Sequence, residues 1–339
     1  MHRKWINNIE PNKRILEIGP LAWPNIQKQD GYNVFYADIR STNEIKELYK
    51  NDVNVPNDKI VDIDYVIIGE YSEALKNVEK FDYIIATHVI EHVPQLISFF
   101  LDISNVMNPQ GKLYLAIPDK RYCFDHFRAP TSFSECYDIY YRKINNFMPE
   151  QVLDQLLLHT INDASYWWKN TNSFEHLVID KKKIEDVQKY YIQALNGKYI
   201  DVHFSVFTPE SFLVLIFQML CFNLFPFKCV EFENTDLYDN EFNIVFELNK
   251  NILTESHIDN KIEKENIMNL LSNNLNNEYD KLMIEQLNND LIKSKLTIEQ
   301  LNNDLRNIQL SRSWRITAPL RKVNSILKNL KYGTSHNKQ

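Results

Sequence analysis

The stretch that decides the fold is residues 14–38, RILEIGPLAWPNIQKQDGYNVFYAD. Ile15, Leu16 and Ile18 form a short apolar run that suits a strand buried in a parallel sheet. Gly19-Pro20 ends it, and the sequence predicts a turn into a short helix over 24–29. Asp30-Gly31 punctuates again before a second strand at 34–37, with Asp38 at its carboxyl end. Open α/β sheets bind their ligands at that edge. Asp38 lies 21 positions after Glu17, about the distance at which an acid reaches a ribose diol.

Two features disfavour a dinucleotide. Only Gly19 of a glycine-rich loop is present, with Leu21 and Trp23 where further glycines belong. A pyrophosphate needs close backbone approach and free N–H groups, and Pro20 and Pro24 supply none. Glu17, at the mouth of the first strand, would repel a pyrophosphate but suits a cation. S-adenosylmethionine carries an ammonium and a sulfonium and no phosphate. Glu17-Ile18-Gly19 together with Asp38 resembles motif I and the following acidic motif of the class I S-adenosylmethionine-dependent methyltransferases.

Working outward, 43–50 reads as a helix and 65–68 as a third strand ending at Gly69-Glu70. Residues 81–86 (FDYIIA) form a fourth strand running into His88, Glu91 and His92, and 95–107 is an amphipathic helix. Residues 113–117 are a fifth strand, closed by Pro118-Asp119. Strands separated by helical stretches indicate βαβ units. Residues 121–205 are rich in aromatics and read as a helical insertion. Thr208-Pro209-Glu210 opens a buried helix, with Thr as N-cap and Pro at the first position. Residues 228–233 and 242–248 then read as two terminal strands. The expected fold is α/β: a doubly wound, mostly parallel seven-stranded sheet with a terminal antiparallel hairpin, a helical insertion and a C-terminal coiled-coil helix.

FDYIIATHVIEHVP (81–94) and NPQGKLYLAIPD (108–119) look like motifs IV and V of small-molecule class I methyltransferases of type 11. LEIGPL, DKRYCFDHFR (119–128) and VHFSVFTPESF (202–212) resemble a bacterial subgroup found with surface-polysaccharide and O-antigen assembly. The resemblance covers residues 10–250. It implies S-adenosylmethionine as cofactor, held by Glu17, Gly19, Asp38, Gly69, Glu70 and His88. It implies a sugar or glycan hydroxyl as acceptor.

Candidate proton acceptors gather after strands four and five: His88, Glu91, His92, Asp119, Asp125 and His126. His88, His126 and Asp125 are taken as the catalytic set. Arg121, Arg128 and His203 are taken as acceptor-binding, since guanidinium groups hold phosphate or carboxylate. His88-x-x-Glu91-His92 has the spacing that places three ligands on one helical face. Some methyltransferases bind a divalent metal through such a Glu-His pair. The zinc-peptidase reading of HxxEH fails here, because it needs a helix throughout and His88 ends a strand. No metal is expected.

The 339 residues divide into a domain over 1–250, with its insertion at 121–205, a segment 251–310 and a tail 311–339. IEQLNNDL recurs at 284–291 and 298–305. Ile284, Leu287, Leu291, Ser294, Ile298, Leu301, Leu305 and Ile308 alternate in steps of three and four, a coiled-coil seam that implies a homo-oligomer. Net charge is −7, yet residues 311–332 hold six Lys and Arg and no acid. That tail is basic and amphipathic, which suits an anionic membrane surface. SRSWRITAPLR (311–321) resembles a segment found at the ends of bacterial glycosyltransferases and their methyltransferase partners. The acidic remainder argues against nucleic acid.

Four cysteines without a CxxC pair point to a reducing compartment, and the N-terminus lacks the apolar run of a signal peptide. A cytoplasmic protein, in peripheral contact with the inner membrane face, is expected. Residues 212–227 are too short and mixed to span a bilayer. Two other readings compete: a non-catalytic assembly protein built on a degenerate domain, and a nicotinamide-dependent enzyme. The terminal hairpin weighs against the second.

Overall fold

A computed structural model describes residues 3–144, 149–171, 173–254 and 258–274, and the single positions 300, 303 and 306. The chain divides into two compact units, Met1–Asn274 and Leu275–Gln339. The coiled-coil seam at 284–308 and the basic tail at 311–339 lie outside the described residues, apart from those three positions.

The first unit is built on one seven-stranded sheet in the order β3-β2-β1-β4-β5-β7-β6. In chain order the elements are β1 (Ile15–Ile18), β2 (Val34–Asp38), α1 (Thr42–Leu48), β3 (Tyr65–Val66), α2 (Tyr71–Ala74), β4 (Phe81–Thr87), α3 (Leu96–Ile103) and β5 (Met107–Pro118). The insertion follows as α4 (Phe133–Tyr141), α5 (Pro149–Leu158), α6 (Ala164–Trp167) and α7 (Lys181–Leu195). Last come α8 (Pro209–Cys221), β6 (Phe227–Glu233), β7 (Glu241–Leu248) and α9 (Ile258–Asn274). β1 to β5 run parallel, and β7 runs antiparallel to both β5 and β6. The expected doubly wound sheet with its terminal hairpin is present.

The register puts the ends of several strands at one edge. Ile18 pairs with Ala37 and Ala86, Thr87 with Ala116, and Pro118 with Glu241. Because β7 is antiparallel, it delivers its first residue, Glu241, to the edge where the parallel strands deliver their last. Apolar side chains cover both faces. Phe225 packs between Phe100 and Phe246, with ring centroids 5.0 and 4.9 Å away. Another cluster joins Trp5 to Tyr36, Tyr83, Tyr114 and Val245. α8 is the expected buried helix: the Thr208 hydroxyl accepts from Ser211 N–H, and Phe212, Leu213, Leu215 and Ile216 are buried. Among the described residues no helix is long and apolar enough to cross a membrane.

Three local readings need correction. The helix expected over 24–29 does not form. That segment holds turns and a 3₁₀ turn at Lys28–Asp30, because Leu21 sits at φ 48° and the Asn25 and Ile26 amides bind the Glu17 carboxylate. β3 is only Tyr65–Val66, since Ile67 N–H turns to the Asp38 carbonyl and Gly69 takes a left-handed φ of 86°. The first unit also continues past residue 250 to Asn274, as α9 packs on α8 and β6. Its buried face is partly polar. Asn260 donates to the Leu220 and Ile252 carbonyls, and the Glu263 carboxylate accepts from Cys229 N–H at 2.8 Å.

Candidate active site

The carboxyl edge of β1 to β4 carries the residues expected to hold the donor. Glu17 is fully buried, and its carboxylate accepts from Asn25 N–H (2.6 Å), the Asn25 side chain (2.9 Å) and Ile26 N–H (3.1 Å). Burial raises its pKa to about 7 against the lowering effect of these bonds. Glu17 therefore anchors the loop after β1; its oxygens are engaged by the protein itself. Gly19 takes φ 65°, and a Cβ there would meet Val89 Cγ2 at 3.2 Å, so the turn beside the edge needs glycine.

Asp38 is half-buried at the end of β2. Burial raises its pKa, opposed by the Arg40 backbone bond at 2.9 Å, the Arg40 charge and the Ile39 amide. Ile39 and Ile68, directly after β2 and β3, and Trp23, after β1, expose large apolar faces at the same edge. Gly69 shares this edge, with nothing near its would-be Cβ. Glu70 is exposed and begins α2 without making a side-chain cap bond. A ribose diol on Asp38 and an apolar ring on Ile39 and Ile68 fit these residues. The carboxylate for the methionine end is less available, since Glu17 is committed to the loop.

His88 follows β4 at φ 51°. Its Nε2 lies 2.8 Å from Glu241 Oε2 and its Nδ1 3.5 Å from Glu91 Oε1. Burial works against the imidazolium, but the bond to Glu241 and the charges of Glu91 and Glu241 hold the pKa up at about 9. His88 is thus cationic at neutral pH and has no free basic nitrogen. The catalytic-base role expected for it does not fit. Glu241 also receives Arg3 through Nε and Nη2, both at 2.8 Å, while Arg3 Nη1 donates to Asn25 Oδ1 at 2.6 Å. A continuous polar chain therefore runs Glu17–Asn25–Arg3–Glu241–His88–Glu91 across the sheet edge.

A pH dependence follows. The folded pKa of His88 lies above its ordinary 6.5, so its pairing adds stability that is complete below about pH 6.5 and lost as pH rises through about 9. The side chain is 36% exposed, so solvent screening weakens the effect. Thermal melts of wild type and His88→Gln should differ most at about pH 6 and converge by about pH 10. A gap independent of pH would contradict the assignment.

On the insertion side, Asp125 Oδ2 bonds His203 Nδ1, and Asp125 Oδ1 accepts from Arg128 Nη1 at 2.9 Å. Arg128 Nε reaches Asp154 at 3.1 Å, and its side chain is buried. Arg121 is held by Asp119 at 2.6 Å, and Asp119 also accepts from Thr235 at 2.7 Å. Both arginines are engaged by carboxylates of the chain; Arg128 is buried and does not fit acceptor binding, while Arg121 stays about a third exposed. His126 stacks on buried Trp167 at 3.9 Å, and its nitrogens face the Arg121 and Thr171 carbonyls at 2.7 and 3.1 Å. That is a packing position, and no nitrogen of His126 remains to act as a base. Tyr122 likewise stacks on Trp168 at 4.0 Å, so these insertion aromatics pack on one another.

The chain returning from α7 closes over the edge. Tyr199 bonds Asp201 at 2.9 Å and lies under Arg40 at 5.3 Å. Asp201 meets His92 Nδ1 at 3.0 Å, and Ser205 N–H donates to the Glu91 carbonyl at 3.1 Å. This strap links the β2 side of the crevice to the β4 side. The structure thus brings together Glu17, Gly19, Asp38 and Gly69 at the ends of β1, β2 and β3. It separately brings together His88, Glu91, His92, Asp125 and His203. Sequence reading missed Arg3, Asn25, Asp201 and Glu241. Arg3 and Glu241 pair across 238 positions with no motif around either.

Residues 4–161 match the family model described as a methyltransferase domain. Among solved structures, an S-adenosylmethionine-dependent methyltransferase from Methanosarcina mazei is 17% identical. The alignment covers 73% of this chain and 98% of that one, at a TM-score of 0.36. A Rhodobacter sphaeroides protein described as a zinc-dependent alcohol dehydrogenase is 15% identical, with 72% and 87% covered and a TM-score of 0.38. The methyltransferase CalH, in complex with S-adenosylhomocysteine, is 12% identical, with 72% and 54% covered and a TM-score of 0.30. These values are too low to transfer an activity. No curated protein matches the chain. By this match residues 4–161 carry a methyltransferase domain, and the strand order is the one expected for that fold.

Proposed function

We propose that the enzyme methylates a hydroxyl of a sugar or glycan intermediate in cell-surface polysaccharide synthesis. The observation that carries the donor half is Asp38 at the end of β2, between the apolar faces of Ile39 and Ile68. When bound, S-adenosylmethionine supplies an electrophilic methyl group on a sulfonium. The protein's part is positioning and proton removal. Asp38 accepts from the ribose hydroxyls. The Tyr199–Asp201–His92 contacts hold the strap over the crevice and limit water. Support for a glycan acceptor is the resemblance of 119–128 and 202–212 to the polysaccharide-associated subgroup. The test is transfer of labelled methyl from S-adenosylmethionine to a panel of nucleotide sugars and lipid-linked saccharides. Label on a sugar hydroxyl is expected. Label only on amines or small aromatic acceptors would overturn the glycan assignment.

The C-terminal segments add partners to this reading. Residues 284–308 pair copies of the chain through the heptad seam, and 311–332 contact an anionic leaflet at the cytoplasmic face. Deleting 311–339 is expected to release the protein from phosphatidylserine vesicles in flotation. Unchanged flotation would contradict the membrane role.

A further inference from the structure

We infer that Glu91, His92 and His203 form a binding site for one divalent cation of the zinc class. The inference goes beyond methyl transfer and does not depend on it. Both Glu91 carboxylate oxygens are buried, and among the described residues neither accepts a hydrogen bond. His88 stands 3.5 Å from Oε1 only. The charge of His88 reaches one oxygen only at that distance and is shared with Glu241, so a buried carboxylate placed this way is costly and has room for a second, closer cation.

Two imidazoles converge on it. One ligand atom from each of Glu91, His92 and His203 lies within 4.8 Å of the others. Small side-chain rotations bring three such atoms onto one ion at about 2.0–2.2 Å. The two rings stand edge to face, with centroids 4.7 Å apart and planes at 89°. Each ring is oriented from behind by a carboxylate. Asp201 Oδ1 lies 3.0 Å from His92 Nδ1, and Asp125 Oδ2 bonds His203 Nδ1. Arg128 in turn fixes Asp125. Both Nδ1 atoms being held, the Nε2 atoms are the ones turned to coordination, which is the carboxylate–histidine–metal arrangement.

Two imidazoles and one carboxylate suit zinc and leave a coordination position open. Magnesium and calcium prefer all-oxygen sets. The other histidines of this region are committed elsewhere, His88 to Glu241 and His126 to two carbonyls. Glu91 and His92 sit on the 3₁₀ turn after β4, and His203 on the strap after α7. A cation here ties the insertion to the donor edge.

The full-length protein, stripped with chelator, is titrated with Zn²⁺ by calorimetry and with Co²⁺ by visible absorption. One saturable equivalent is expected, with Co²⁺ d–d bands that Zn²⁺ abolishes. Glu91→Gln and the His92→Ala/His203→Ala double variant should lose binding. Asp125→Asn should weaken it about 10–100-fold. Asp38→Ala should lose S-adenosylhomocysteine yet keep the metal, which separates this claim from the donor assignment. No saturable binding by the wild-type chain overturns the site. So does unchanged binding in the double histidine variant. If circular dichroism shows a variant unfolded, wild-type stoichiometry and the Co²⁺ spectrum decide alone.

Discussion

Replacing Asp38 by alanine is expected to weaken S-adenosylhomocysteine binding by about 100-fold, since hydrogen bonds to a charged group contribute about 1.5–3 kcal/mol each. Asp38 ends β2, beside the turn of Gly19 and the exposed faces of Ile39 and Ile68. Its carboxylate is tethered by backbone N–H groups that fix its direction without neutralising it. Two ribose hydroxyls can therefore donate to it at once. Asp38→Asn keeps the shape and one acceptor oxygen and should fall between wild type and alanine. The fold should tolerate both changes, because burial already raises the Asp38 pKa and no buried cation depends on it. A thermal midpoint close to wild type together with lost binding would mark Asp38 as a ligand residue. Affinity within about threefold of wild type, less than 1 kcal/mol, would remove it from the donor site.

Replacing Glu241 by alanine is the second large effect, and it falls on stability. Glu241 is 2% exposed and bonds Arg3 twice and His88 once, all at 2.8 Å. Removing one partner of a buried pair costs about 3–5 kcal/mol, because the remaining charge stays buried without compensation. Here two cations lose the same partner. A fall in thermal midpoint on the order of 10 °C is expected for a unit of this size. Glu241→Gln keeps hydrogen-bond acceptance and should lose less. A double-mutant cycle with Arg3→Ala isolates the pair, and strong non-additivity is expected because the two residues touch. Additive losses would show that Arg3 and Glu241 act separately. Since Arg3 also holds Asn25, which holds Glu17, the same variants should loosen the loop after β1 and raise its amide exchange.

The two predictions sit on opposite sides of what the sequence made legible. The sheet could be read because its strands are apolar runs closed by Gly, Pro and Asp, and the hairpin and the Thr208 cap are local signals. Asp38 was legible for the same reason, since its place depends only on where β2 ends. Glu17 was placed correctly at the end of β1 but given the wrong partner. Its charge suggested a ligand cation, whereas the prolines of 20–24 prevent a helix and leave the Asn25 and Ile26 amides for it to bind. Arg3 and Glu241 were invisible, because an ion pair across 238 positions leaves no spacing to count. α9 was assigned to the polar C-terminal segment because its buried positions include Asn260 and Glu263, whose partners lie on α8, β6 and the turns beside them. His126, Arg121 and Arg128 have the residue types of a site, but stacking and internal carboxylates engage all three.

The central claim is that the edge formed by β1 to β4 binds S-adenosylmethionine and not a nicotinamide dinucleotide. Calorimetric titration of the full-length wild-type protein with S-adenosylhomocysteine, repeated with NAD, tests it most directly. One saturable site for S-adenosylhomocysteine and no comparable heat with NAD is the predicted result. No binding of S-adenosylhomocysteine at millimolar concentration, or tighter binding of NAD, would contradict it.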